Sequence, residues 1–470
     1  MQVRNPRNGE YDYELHVDSS EAIREKASSL RQHQVNWSSN GVQRRAEVLM
    51  QFAHLLEQSQ DDLLSQLSID TGRQKISKIE LAGTIGMIKG RCFSSAKLME
   101  GEAVRQSFSN PTVNIKQQIV PYPLVGVISP WNFPLLLALI DTVPALLAGC
   151  TVLLKPSEVT ARFIDPLEKL IQSIPELDQV IKIVRGGAEA GKSLVDSVDA
   201  ICFTGSVSTG KKIASRAAEN FIPAFLELGG KDPAIVLEDA DLEKTADAVL
   251  RSAAGATGQA CQALERIYVH KKIFSDFVEL LTAKIKKVTF NDDYGKGGTM
   301  GPIIFEQQAI KIEIQLKEAV DQGAKILTGG EIHNINGGLW MMPTIVTEVN
   351  HSMSVISEET FGPVIPIMSF DTEDEAINLA NDSQFGLSAS VFSVDLDKAV
   401  RIAEQLDAGG ISINDASLTN QVFDATKNSF KLSGMNGSRM GVDGFTRFFR
   451  KKALLIQTAA PQEIFSQEED

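Results

Sequence analysis

At 470 residues and 43% hydrophobic, the chain is longer than one hydrophobic core sustains and reads as a soluble globular protein of two or three domains. A net charge of -14 argues against nucleic acid or an anionic membrane as partner, because phosphate would meet repulsion over most of the surface. Four widely spaced cysteines (Cys92, Cys150, Cys202, Cys261) form neither a disulfide framework nor a metal-ligand pattern, and six scattered histidines offer no metal pair and none near Cys261 in sequence.

The opening Met1-Gln2-Val3-Arg4-Asn5-Pro6 lacks the apolar core of a signal peptide, and a reactive thiol needs a reducing compartment, so the expected location is cytoplasmic. Residues 46–67 carry Val48, Leu49, Phe52, Leu55, Leu56, Leu63, Leu64 and Leu67 at helical spacing and predict one amphipathic helix, closed by the turn signal Asp70-Thr71-Gly72. From residue 120 onward short apolar strands at 125–128, 151–154, 180–184, 200–203 and 234–237 alternate with helices. That alternation predicts a parallel sheet with crossover helices, an architecture that binds nucleotides at its strand ends. Residues 134–154 imitate a membrane span, but Asp141, Pro144 and Gly149 predict a buried helix followed by a strand. A second series follows Cys261: a strand at 266–269, helices at 274–288 and 310–322, and strands at 325–327 and 364–370. The chain therefore reads as two α/β domains, with short β-like segments at 114–120 and 453–458.

Chemistry concentrates in a few strings. Gly258-Gln259-Ala260-Cys261 offers a thiol and Leu226-Glu227-Leu228-Gly229-Gly230-Lys231 a carboxylate, each framed by small residues. A thiolate can hold an electrophilic carbon covalently, and a carboxylate can activate the water that releases it. Asn132, in Pro130-Trp131-Asn132-Phe133-Pro134, is suited either to capping a helix or to holding an oxyanion with its amide. Gly205 to Lys211 matches the phosphate-loop spacing Gly-x-x-x-x-Gly-Lys, but Lys212 stands where a magnesium-binding Ser or Thr is needed.

Together these segments resemble the aldehyde dehydrogenase superfamily, and the match runs along nearly the whole chain. The resemblance implies a Rossmann-like NAD-binding domain (1–113 and 122–228), an α/β catalytic domain carrying the thiol (229–420), and a small β oligomerisation arm with a C-terminal tail (114–121 and 443–470). It implies NAD-dependent oxidation of an aldehyde to its carboxylic acid through a cysteine thiohemiacetal and thioester, by a homodimer or homotetramer without metal. Cys261 matches the nucleophile, Glu227 the general base, and Asn132 the oxyanion amide that acts with the Cys261 backbone N–H. For the cofactor it implies Ile128, Ser129, Pro130 and Trp131 at one strand end, Lys155, Ser157 and Glu158 at the adenosine ribose, and Gly187 and Gly191 near the adenine. Phe203, Thr204, Gly205 and Ser206 match the pyrophosphate turn. Leu228 and Gly229, with Glu359 on the nicotinamide ribose and Phe361 packed on the cofactor, complete the set. A carboxylate at Glu158 would repel a 2'-phosphate, so NAD is preferred, with NADP possible.

Phe133, Leu136, Leu137, Ile140, Gln262 and Phe423, with the loop 415–426, are expected to line the substrate entrance, suiting a medium-sized apolar or aromatic aldehyde. Three positions depart from the family. Asp141 stands where Lys is common, Met440 near a usual Glu, and Lys427-Asn428-Ser429 where Phe-Gly-Gly is usual, so the proton path behind the base differs. Two other readings are a CoA-acylating semialdehyde dehydrogenase, a branch that typically lacks a carboxylate at the Glu227 position, and a catalytically silent structural relative.

Overall fold

The computed structural model describes residues 1–98, 103–292 and 298–461. The expected helix at 46–67 is two helices, Gly41–Gln58 and Gln60–Thr71. The ladder breaks at Ser59 (φ -106°, ψ 28°), inside a polar run, and Asp61 and Asp62 occupy the first turn of the second helix, where negative charge is favoured. Gly72, at φ 65°, then stops that helix. The 25-residue helix Gln74–Leu98 gave no clear sequence signal, because it buries Ser77, Glu80, Thr84 and Arg91 among its apolar residues and so blurs the helical period.

Two sheets organise the molecule, and both are α/β as expected. The first has six strands in the order Gly434–Met435, Ala224–Glu227, Ala200–Thr204, Leu124–Ile128, Thr151–Lys155 and Ile181–Ile183, all parallel except the first. Its central strands are buried on both faces, which is why they read as continuous apolar runs. Ile128 is in register with both Lys155 and Phe203, and Thr204 with Glu227, so the polar residues that end these strands line up along one edge. The apolar stretch after residue 133 forms the helix Pro134–Ala148, closed by Gly149 at φ 99°. Among the described residues no helix is long and apolar enough to cross a membrane.

The second sheet runs Lys325–Ile326, Thr344–Thr347, Val364–Phe370, Leu264–His270, Asp232–Val236, Ser388–Phe392 and Gly410–Ile413. Cys261 lies just before Leu264–His270, so this sheet carries the thiol while the first carries Glu227. A third, three-stranded sheet pairs Phe449–Gln457 with all nine residues of Val113–Pro121, and these with Arg105–Gln106. Phe449–Gln457 is longer than the expected 453–458 and exposed along almost its whole length. Of the expected C-terminal tail, residues 462–470 lie outside the described residues.

Candidate active site

Cys261 is half-buried, whereas Cys92, Cys150 and Cys202 are buried. The loop before it is tightly specified. Ala256 (φ 53°), Thr257 (φ 61°) and Gly258 (φ 68°) are consecutive left-handed residues, two of them with a Cβ that disfavours this region. A side chain at 258 would meet the Gly362 carbonyl at 2.3 Å, so only glycine fits there. Tertiary bonds hold the strained turn: Thr257 Oγ1 donates to Gly301 O (3.0 Å), Gln259 Nε2 to Pro302 O (3.2 Å), and Ile304 N to Gln259 Oε1 (2.8 Å). Burial pushes the Cys261 thiol up to about 12; Asp232 adds to the rise, while Lys427 and Arg439 oppose it.

Asn132 donates from Nδ2 to Gln259 O at 3.0 Å, which ties its amide to the thiol loop. It does not cap the following helix. That helix starts with Pro134, and its first free amides, Leu135 N and Leu136 N, donate to the Glu80 carboxylate at 2.8 and 3.0 Å. Arg73 donates to both Asn132 O and Ala256 O, bridging the two segments, and its guanidinium lies 5.3 Å from the centre of the Phe133 ring.

Glu227 is buried at the end of its strand, and its Oε2 accepts from Ser429 Oγ at 2.7 Å. The antiparallel strand Gly434–Met435 pairs directly with it through Gly434. Beyond it Asp141 is gripped by Arg439 and Arg447, and Arg439 also donates to Thr204 Oγ1. These arginines hold the Asp141 carboxyl below the ordinary carboxylate range against the opposing effect of burial, so Asp141 is the anion of a buried ion cluster.

One cleft collects the polar strand ends and the thiol. Pro130, Trp131, Asn132, Thr204, Gly205, Ser206, Leu228, Gly229, Glu359 and Phe361 line it together with Leu137, Gln308 and Cys261. Trp131 meets Phe361 edge-on at 5.4 Å. Ser206 caps the helix Val207–Glu219. Glu359 is folded against Gly229 and Gly230, and its Oε1 accepts from Gly230 N at 3.2 Å. Burial, with Glu265 adding, pushes this carboxyl up to about 7. Phe203 packs in the core beneath Gly205.

The expected adenosine residues gather at the neighbouring strand ends. Lys155 Nζ lies 3.2 Å from Glu158 Oε2, Ser157 Oγ accepts from Val159 N, Gly187 faces Glu158, and Gly191 lies beside Ile128 and Lys155. Ser129 Oγ is buried at the strand end with no hydrogen-bond partner among the described residues.

The expected substrate residues divide. Leu137 faces the cleft, and Gln262 flanks the thiol, its side chain accepting from Thr419 Oγ1 and its carbonyl from Ser417 Oγ. Phe423 is half-buried against the core. Ile140 is 3% exposed and packs inward, because the helix turns this residue away from the cleft that Leu137 faces.

Several residues of the site gave no local signal. Glu265 accepts from Lys231 Nζ (2.7 Å), Thr360 N (2.6 Å) and Phe361 N (2.7 Å), and so fixes the turn that presents Glu359 and Phe361. Arg73, Gln308, Lys427, Ser429 and Arg439 likewise act on segments distant in sequence, and the only sign of them was the departure at Lys427-Asn428-Ser429.

Residues 1–454 match the model of the aldehyde dehydrogenase family. Among curated proteins the chain is similar to aminoaldehyde dehydrogenase 1, peroxisomal, of Pisum sativum, at 36% identity over 95% of this chain and 88% of that protein. Among solved structures it is similar to a putative aldehyde dehydrogenase, PutA, from Anabaena variabilis, at a TM-score of 0.96 and 44% identity over all of both chains. It is also similar to betaine aldehyde dehydrogenase from Staphylococcus aureus in complex with NAD+, at a TM-score of 0.93 and 30% identity over 99% of this chain and 93% of that one.

Proposed function

Since the chain belongs to the aldehyde dehydrogenase family, we propose that its chemistry runs on Cys261 as nucleophile, Asn132 as oxyanion donor and Glu227 as general base. The enzyme oxidises an aldehyde to its carboxylic acid with NAD as hydride acceptor. The observation that carries the residue assignment is that thiol, amide and the strand-end residues converge on one cleft between two sheets, with Glu227 next in the chain to the cleft-lining Leu228.

The residues of the cleft fit a dinucleotide. The orphaned hydroxyl of Ser129 awaits a partner, the helix Val207–Glu219 offers its capped N-terminus to a phosphate, and the Lys155–Glu158 pair stands at the end where a ribose would sit. Glu359 would hold the second ribose, with Phe361 and Trp131 as the apolar wall. When bound, NAD supplies the hydride acceptor and, in its oxidised form, a positive charge near the thiol.

A thiol raised to about 12 must lose its proton before it attacks, an ionisation that the nearby Arg439 favours, while Glu227 acts later, at hydrolysis. Cys261 Sγ bonds to the aldehyde carbon, and the oxygen that becomes negative is held by the Asn132 amide and the Cys261 N–H. After hydride has left that carbon a thioester remains on Cys261. Ser429 pins one oxygen of Glu227, leaving the other to take a proton from the water that hydrolyses the thioester. A carboxylate at this position supports water, not CoA, as the acyl acceptor.

The expected two-domain division, with the arm at 114–121 and 443–470, remains our reading of the chain. Leu454, Leu455 and Ile456 are exposed on a long edge strand, which supports a homo-oligomer assembled through the arm. Four unpaired cysteines support a reducing, cytoplasmic setting.

Rapid mixing tests the residue roles. Glu227→Gln is expected to keep a first burst of NADH and slow the steady state by roughly 10²- to 10⁴-fold, whereas Cys261→Ala is expected to bind NAD without any burst. Turnover in the cysteine variant would remove Cys261 from its role, and loss of the burst in Glu227→Gln would move Glu227 to an earlier step.

A further inference from the structure

Lys427 is buried to more than nine-tenths, yet among the described residues its ammonium has neither an ion pair nor a hydrogen-bond partner. A buried cation left this way is costly unless something arrives to meet it. It is not one of the sealed polar atoms of the core, so its charge faces accessible space.

Its position is fixed from both ends. The backbone N donates to Ser438 Oγ at 3.2 Å, and the stem lies over Gly410, where a Cβ would meet Lys427 Cδ at 2.9 Å and the Thr419 methyl at 2.5 Å. Thr419 in turn donates to the side chain of Gln262, the residue that follows Cys261. The charge is near enough to the thiol to favour its ionised form. The carboxylates of the centre are each otherwise engaged. Asp232 accepts from the backbone and hydroxyl of Ser388, Glu227 from Ser429, and Glu359 from Gly230.

We propose that Lys427 is the specificity determinant of this site, meeting a carboxylate carried a few carbons from the reacting carbonyl, so that the preferred substrates are short semialdehydes and ammonium-bearing aldehydes are rejected. The proposal rests on the assignment of Cys261 as nucleophile. A carboxylate in this place gains a charge-assisted bond in a partly desolvated site, and an ammonium of the same length meets like charge there.

The test compares kcat/KM for succinic semialdehyde, butanal and 4-aminobutanal, near-isosteres with an anionic, neutral and cationic far end. Wild type is expected to rank them in that order. In Lys427→Met the ratio of succinic semialdehyde to butanal is expected to fall about 10- to 100-fold, and Lys427→Arg to restore most of it. Each variant is first checked for its melting temperature and for the NADH burst with butanal, which reports Cys261 chemistry independently of the far end. A wild type that takes 4-aminobutanal as well as butanal overturns the proposal. So does a Lys427→Met variant that loses activity on all three alike, which would make Lys427 a stabiliser of the thiolate. If Cys261→Ala turns over these aldehydes, the nucleophile assignment fails and this proposal falls with it, whereas a changed wild-type ranking with Cys261→Ala inactive counts against the proposal alone.

Discussion

Glu359 illustrates how one side chain couples the cleft to pH. Its carboxyl, raised to about 7 by burial and by Glu265, is mostly protonated at pH 6 and mostly ionised at pH 8. The ionised form is the stronger acceptor for both hydroxyls of a ribose, so NAD should bind about 3- to 10-fold more tightly at pH 8 than at pH 6. Fluorescence titration across that range checks this, and Glu359→Gln should flatten the dependence; an equal slope in the variant would assign it to another group. Asp141 shows what a sequence conceals at this scale. Its cost as a buried charge was legible from the apolar run around it, but its arginine partners lie some 300 positions downstream. The two arginines hold it as the anion of a buried cluster.

At the scale of elements, the buried strand runs and the glycine-framed thiol were legible because backbone geometry and burial leave local signatures. The break at Ser59, the helix Gln74–Leu98 and the turn after Glu358 were not, since each depends on partners from other segments. That turn gives the clearest energetic test. Glu265→Ala would leave the buried Lys231 ammonium without its carboxylate, at a cost of about 3–5 kcal/mol, and would release the Thr360 and Phe361 amides. Differential scanning fluorimetry should show a fall of roughly 5 °C or more, and KM for NAD should rise. The double variant Lys231→Met with Glu265→Leu removes both charges and should recover much of the loss. An unchanged melting temperature in Glu265→Ala would mean that water replaces the carboxylate.

Across the whole molecule, the strand Phe449–Gln457 presents an exposed apolar edge that a solitary protein would be expected to blunt. Wild type should therefore sediment as a dimer or tetramer, and Leu455→Asp, which changes a side chain 68% exposed in the chain alone, should yield smaller species with unchanged circular dichroism. A monomeric wild type would sink the assembly reading. The strand Gly434–Met435 has a consequence of another kind. It lies on Glu227 and follows Lys427 and Ser429 along the chain, so the last pieces of the centre are made long after Cys261. On the ribosome, at about 5–20 residues per second, the thiol precedes them by roughly ten to thirty seconds. A nascent or prematurely terminated chain thus carries a cysteine without its pinned base or its selecting cation, and synthesis itself keeps the enzyme switched off until the strand Gly434–Met435 has been made.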